Sequence, residues 1–128
     1  MTKVVSAAVA DGSSNCFKII ETGPNLTGQY PKWQYVHAYS TTILSCLTPG
    51  EYLVRIEHLA IFGVVTGLVP QLYVSCAEIK VKGSGSKTFS GVKIPGHVSA
   101  TDPGMTVYYV FDTDLRKYTI AGPAVSTC

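Results

Sequence analysis

Charge is scarce in this 128-residue chain: Asp, Glu, Lys and Arg make up 14% of it and leave a formal net charge of +2. Lys/Arg blocks and alternating basic and aromatic residues are both missing, which excludes the electrostatic footprint of a nucleic-acid binder. No apolar run reaches the ~20 residues that a membrane-crossing helix needs. The four cysteines, Cys16, Cys46, Cys76 and Cys128, show no C-x-x-C spacing and have no paired histidines beside them, so nothing indicates zinc. There is no G-x-S-x-G elbow, phosphate-cradling glycine loop or H-E-x-x-H pair. Among Glu21, Glu51, Glu57 and Glu78 no glycosidase pair can be picked out, because such a pair is defined by distance. Internal repeats and low-complexity tracts are absent too.

What is present points to β-structure. Twelve glycines and seven prolines supply turns, and the chain is long enough to bury a core of its own, so residues 1–128 read as one domain. The central stretch 46–82 predicts two long strands. In the first, Tyr52, Val54, Ile56, His58, Ala60 and Phe62 share one face and Leu53, Arg55, Glu57, Leu59 and Ile61 the other, since strand side chains alternate with period two. Arg55 and Glu57 thus read as a structural ion pair, and His58, among apolar neighbours, as a core or inter-sheet histidine. In the second, Gln71, Tyr73, Ser75, Ala77, Ile79 and Val81 face away from Leu72, Val74, Cys76, Glu78, Lys80 and Lys82.

Residues 4–10 and 16–21 predict two further strands, paired as a hairpin around the Asp-Gly-Ser-Ser-Asn turn at 11–15. The apolar run after Met-Thr-Lys imitates a very short signal peptide but reads better as the first strand, leaving no signal peptide in this chain. Residues 22–32, with Gly23-Pro24, Gly28 and Pro31, predict an exposed loop that contains the sequon Asn25-Leu26-Thr27, a potential glycosylation acceptor. Strands are expected at 39–44, 92–94 and 106–111, with turns at Gly83-Ser-Gly-Ser86 and Asp102-Pro-Gly104. Seven or eight short strands predict an antiparallel β-sandwich of immunoglobulin-like or fibronectin-like type. An even cysteine count in such a domain suits a secreted disulfide framework, with three connectivities open.

The runs GEYLVRIEHLAI, QLYVSCAEI, TDPG at 101–104 and YTIAGP at 118–123, with FKIIE at 17–21 and CLTPG at 46–50 upstream, resemble the C-terminal half of the fungal cellulose-active lytic polysaccharide monooxygenases of auxiliary activity family nine. The resemblance implies a β-sandwich stripped of the N-terminal half, and of the secretion signal with it. It implies a Cys46–Cys128 disulfide, and leaves Cys76 without the N-terminal cysteine it pairs with in the family. Cys16 could replace that partner, or both could be free thiols.

In the resembled family a single copper is held by the N-terminal histidine and a second histidine, with an axial tyrosine and a glutamine and histidine that handle oxygen. Tyr73 matches the axial tyrosine and Gln71 the glutamine. Phe62 stands where that further histidine belongs, and both copper histidines lie in the half this chain lacks. His37, His58 and His97 are dispersed and match no metal motif. No catalytic residue and no copper or other cofactor is therefore assigned. What remains is binding: Tyr118 falls where the family carries a tyrosine that meets cellulose, and Trp33, Tyr108, Tyr35 and Tyr109 are further aromatic candidates for stacking on a sugar ring. The expected function is a catalytically silent monooxygenase-like protein, extracellular, that binds a polysaccharide such as cellulose or a protein partner. Losing half a domain also exposes apolar surface, so a homo-oligomer is expected. The competing expectations are an active copper monooxygenase with non-standard ligands and a secreted, self-associating interaction or signalling protein.

Overall fold

Two eleven-residue strands, β2 (Gly50–Ala60) and β3 (Gln71–Val81), form an antiparallel ribbon whose register runs from Gly50 opposite Val81 to Ala60 opposite Gln71. A short strand, β1 (Thr2–Val4), adds to the free edge of β2, with Thr2 opposite Leu53, giving the order β1-β2-β3. The computed structural model describes residues 1–28, 32–33, 38–61, 70–105 and 118–128. Among these there is no α-helix, only single 3-10 turns at Ala7–Val9 and Pro103–Met105, and the fold is all-β and antiparallel.

The alternation expected across 52–60 and 71–81 is realised, because β-branched and aromatic residues at every second position let one face of the ribbon pack. The packing covers half of that face. Tyr52, only 1% exposed, joins Met1, Phe17 and Leu47 in the core, with Val54, Ile79, Val81, Ile43, Leu44 and Phe89 packed around them. Phe17 and Phe89 stack with ring centroids 5.0 Å apart. The Tyr52 hydroxyl donates to the Thr48 carbonyl at 2.7 Å, so burying the phenol leaves no polar atom unmatched.

Several local expectations are corrected. The strand predicted at 4–10 stops at Val4, and the chain turns into the 3-10 segment Ala7–Val9. There the Ala7 N–H donates to the Glu51 carboxylate at 2.8 Å instead of to a neighbouring strand. Residues 16–21 form no hairpin with 4–10. Cys16 exchanges two 2.8 Å backbone bonds with Val92, and Lys18 bridges to Val125, so the pairing is distant in sequence. Local turn chemistry could not announce it. Residues 39–44 form no strand, and the edge strand expected at 92–94 is reduced to the single bridge at Val92. The strand expected at 106–111 lies outside the described residues.

Cys46, at the lead-in to β2, is bonded to Cys128, with Cα atoms 5.8 Å apart. Lys87 Nζ donates to the Thr127 and Cys128 carbonyls at 2.8 and 3.2 Å, which holds the tail against the same turn. Gly85 makes the approach possible, because a Cβ there would run into the Cys46 and Leu47 backbone. Cys16 and Cys76 are free thiols; the substitute 16–76 bond is not formed.

Candidate functional site

Beyond Val54 the core ends, and the same face of the ribbon carries Ile56, His58 and Ala60 on β2 opposite Ser75, Tyr73 and Gln71 on β3. These side chains meet solvent: Ile56 is 58% and Tyr73 60% exposed. Gln71 and Tyr73 are two residues apart on one strand, so both project to this face, and the Tyr73 hydroxyl donates to Gln71 Oε1 at 2.9 Å. His58 sits directly across the ladder from Tyr73, with ring centroids 6.4 Å apart. The expectation of a core histidine at His58 is overturned: the residue is exposed, and among the described residues the core cluster stops at Val54 on this face. Phe62, Tyr35, His37, Tyr108 and Tyr109 lie outside the described residues.

A copper centre of the resembled kind needs three nitrogen donors around the metal before an axial oxygen matters. His58 is the single imidazole beside Tyr73 among the described residues, and no group of three or more His, Cys, Asp or Glu there could hold a metal ion. His97 cannot be the second donor, since it is paired with Glu57, whose side chain leaves the opposite face of β2. The donors around Tyr73 do not fit the metal.

That opposite face holds a cluster the sequence disclosed only in part. Arg55 Nε and Glu57 Oε1 pair at 2.5 Å, as the alternation suggested, and Glu57 Oε2 also meets His97 Nε2 at 2.8 Å. Burial pushes the Glu57 carboxyl up, but the hydrogen bonds from Arg55 and His97, with their charge, outweigh it and hold the group below its ordinary value. His97 Nδ1 is buried with no hydrogen-bond partner. The forty-residue separation of Glu57 and His97 gave no local signal for this contact, which clips the loop around His97 onto β2.

Of the carbohydrate-binding candidates, Trp33 and Tyr118 are brought together although 85 positions separate them. Their rings meet edge to face, 73° apart in plane, with centroids 5.8 Å apart. Trp33 is 38% exposed. Burial pushes the Tyr118 phenol up from its ordinary value, as expected for a ring half covered by its neighbours. Two clefts, of about 260 and 270 Å³, open elsewhere, one between Ile43 and Lys82 and one between Lys3 and Phe89. Neither of these two clefts is lined by Gln71, Tyr73, Trp33 or Tyr118.

The model of Auxiliary Activity family 9 (formerly GH61) matches residues 1–118. The chain is 45% identical over 123 residues to AA9 family lytic polysaccharide monooxygenase E of Podospora anserina, covering 96% of this chain and 41% of that protein. With AA9 family lytic polysaccharide monooxygenase A of Botryotinia fuckeliana it shares 43% identity over 122 residues, covering 94% and 37% of the two. Among solved structures, the extended catalytic domain of H. jecorina LPMO9A superposes with a TM-score of 0.57 at 37% identity, over 63% of this chain and 32% of that one. The chain thus spans about two-fifths of the length of the curated relatives it matches.

Proposed function

The chain belongs to Auxiliary Activity family 9, and from that premise we propose that its 128 residues form a β-sandwich module that binds a polysaccharide surface without oxidising it. The observation that carries the proposal is the Trp33–Tyr118 pair, two aromatic rings from distant parts of the chain held edge to face, with Trp33 open to solvent. An aromatic ring suits a sugar because its flat apolar face stacks on the axial C–H bonds, and a partner ring fixes its orientation at little entropic cost. The Tyr73–Gln71 bond on the exposed ribbon face is, in this reading, the retained part of the family's oxygen-handling site, around which the described residues offer no donor set for a metal. An extracellular location belongs to the same reading, since the Cys46–Cys128 bond persists in an oxidising compartment and not in a reducing one. Recovery of the chain from culture medium and not from cells is the check on that location.

Retention on microcrystalline cellulose tests the binding. Wild-type protein is expected to deplete from the supernatant, and Trp33→Ala or Tyr118→Ala to weaken retention roughly five- to thirty-fold, the equivalent of about 1–2 kcal/mol. Retention no greater than that of an inert protein, or variants that bind like wild type, would sink the proposal.

A second reading, self-association, rests on surface area. The chain exposes 8856 Å², against about 6,600 Å² for a compact monomer of this mass. The excess, roughly 2,300 Å² per chain, is more than the roughly 800 Å² per partner that a standard interface buries. Ile56 and Tyr73 are exposed hydrophobic side chains on one face of the β2–β3 ribbon, and a second copy covering that face would account for part of it. Multi-angle light scattering at ~100 µM is expected to give a dimer or larger species; a monomer at that concentration removes this reading and leaves the first untouched.

A further inference from the structure

The sequon Asn25-Leu26-Thr27 has no part in either reading, yet its geometry is specific. Asn25 and Thr27 are both exposed. Asn25 Oδ1 accepts two hydrogen bonds from Thr27, from the N–H at 2.9 Å and from the hydroxyl at 2.7 Å. Behind the turn the loop is closed by a reciprocal pair of backbone bonds, Asn25 N–H to the Lys32 carbonyl at 2.9 Å and Lys32 N–H to the Asn25 carbonyl at 3.0 Å. The Asn25 backbone and Oδ1 are thereby committed, and the amide nitrogen Nδ2 is the remaining polar group of this exposed residue.

We propose that Asn25 is the acceptor of an N-linked oligosaccharide. The co-reactant is an oligosaccharide joined through pyrophosphate to a lipid carrier. In the transfer Nδ2 forms a bond to the anomeric carbon of the first sugar, and the bond from that carbon to the pyrophosphate oxygen breaks. The lipid pyrophosphate leaves with the electron pair, one Nδ2 proton passes to a base of the transferase, and nothing is oxidised or reduced. The two hydrogen bonds onto Oδ1 contribute directly, because they draw the amide's electron density toward oxygen and make the Nδ2 proton easier to remove. They also explain why position 27 must carry a hydroxyl: serine keeps both donors and alanine keeps one. Leu26 adds no obstacle, since the motif excludes proline alone at the middle position.

Asn25 pairs across the loop with Lys32, the residue before Trp33. An oligosaccharide on the exposed Asn25 side chain adds bulk and solubility at the surface.

The test secretes the full chain from a yeast host behind a heterologous leader and reads the mass of the Asn25 peptide before and after digestion with a peptide-N-glycosidase in ¹⁸O-labelled water. The expected result is a hexose-rich mass ladder on most copies, removed by the enzyme with conversion of Asn25 to ¹⁸O-labelled aspartate. Thr27→Ser is expected to keep occupancy and Thr27→Ala to lose it. The wild-type reading needs no variant to fold: an unmodified Asn25 in secreted protein whose Cys46–Cys128 bond is intact would overturn the proposal. So would equal occupancy in Thr27→Ala. Because the leader is supplied, neither outcome bears on where the chain naturally resides or on its retention by cellulose.

Discussion

Replacing Cys128 with alanine, or reducing the Cys46–Cys128 bond, is expected to lower the free energy of unfolding by about 4 kcal/mol. The bond closes a loop across a sequence separation of 82, and the entropy it removes from the unfolded chain grows with the logarithm of that length. It also anchors the tail. Without it the 127–128 carbonyls rely on Lys87 alone, a long and flexible side chain that must be ordered to make those bonds. Four kcal/mol is a large share of the roughly 5–15 kcal/mol typical of a domain. Urea unfolding followed by tryptophan fluorescence should show the midpoint falling sharply for Cys128→Ala and for reduced wild type. Cys76→Ala, which removes an exposed free thiol, should stay within about 0.5 kcal/mol of wild type. A midpoint indifferent to reduction would refute the assignment, as would labelling of Cys46 and Cys128 in native, unreduced protein.

The second large effect concerns chemistry. Copper-loaded protein, given a reductant and cellulose, is expected to release no oxidised oligosaccharides above a free-copper control, and Phe62→His is expected to rescue nothing. The reason lies in the donors. Tyr73 offers a phenol already donating to Gln71, and His58 across the ladder offers a single imidazole, a set with little affinity for copper before any question of oxygen handling arises. One added imidazole would not supply the donor set that the described residues around Tyr73 lack. Isothermal titration is the companion measurement, expected to show no site tighter than about 10 µM. Turnover above the control that Tyr73→Phe reduces would restore the enzyme reading, as would a stoichiometric tight site. Cellulose retention reports separately, so binding and catalysis can fail independently.

The all-β class, the two long strands and the placing of Gln71 and Tyr73 on one face were all legible in the sequence. Each follows from period-two alternation within a single segment, and alternation survives whatever the segment later packs against. The family was legible for a similar reason: its motifs are short, contiguous and in order along 1–118. The tertiary structure decided what depends on residues far apart. Alternation says that His58 and Tyr52 share a face, but the Phe17 and Leu47 side chains cover that face near Tyr52 alone, so one ring is buried and the imidazole is exposed. The Glu57–His97 contact, the pairing of Cys16 with Val92 in place of a local hairpin, and the meeting of Trp33 with Tyr118 all join positions at least 40 residues apart. No local propensity encodes such a meeting. It is set when burial of the core and closure of the 46–128 loop select one arrangement of segments whose individual preferences permit several.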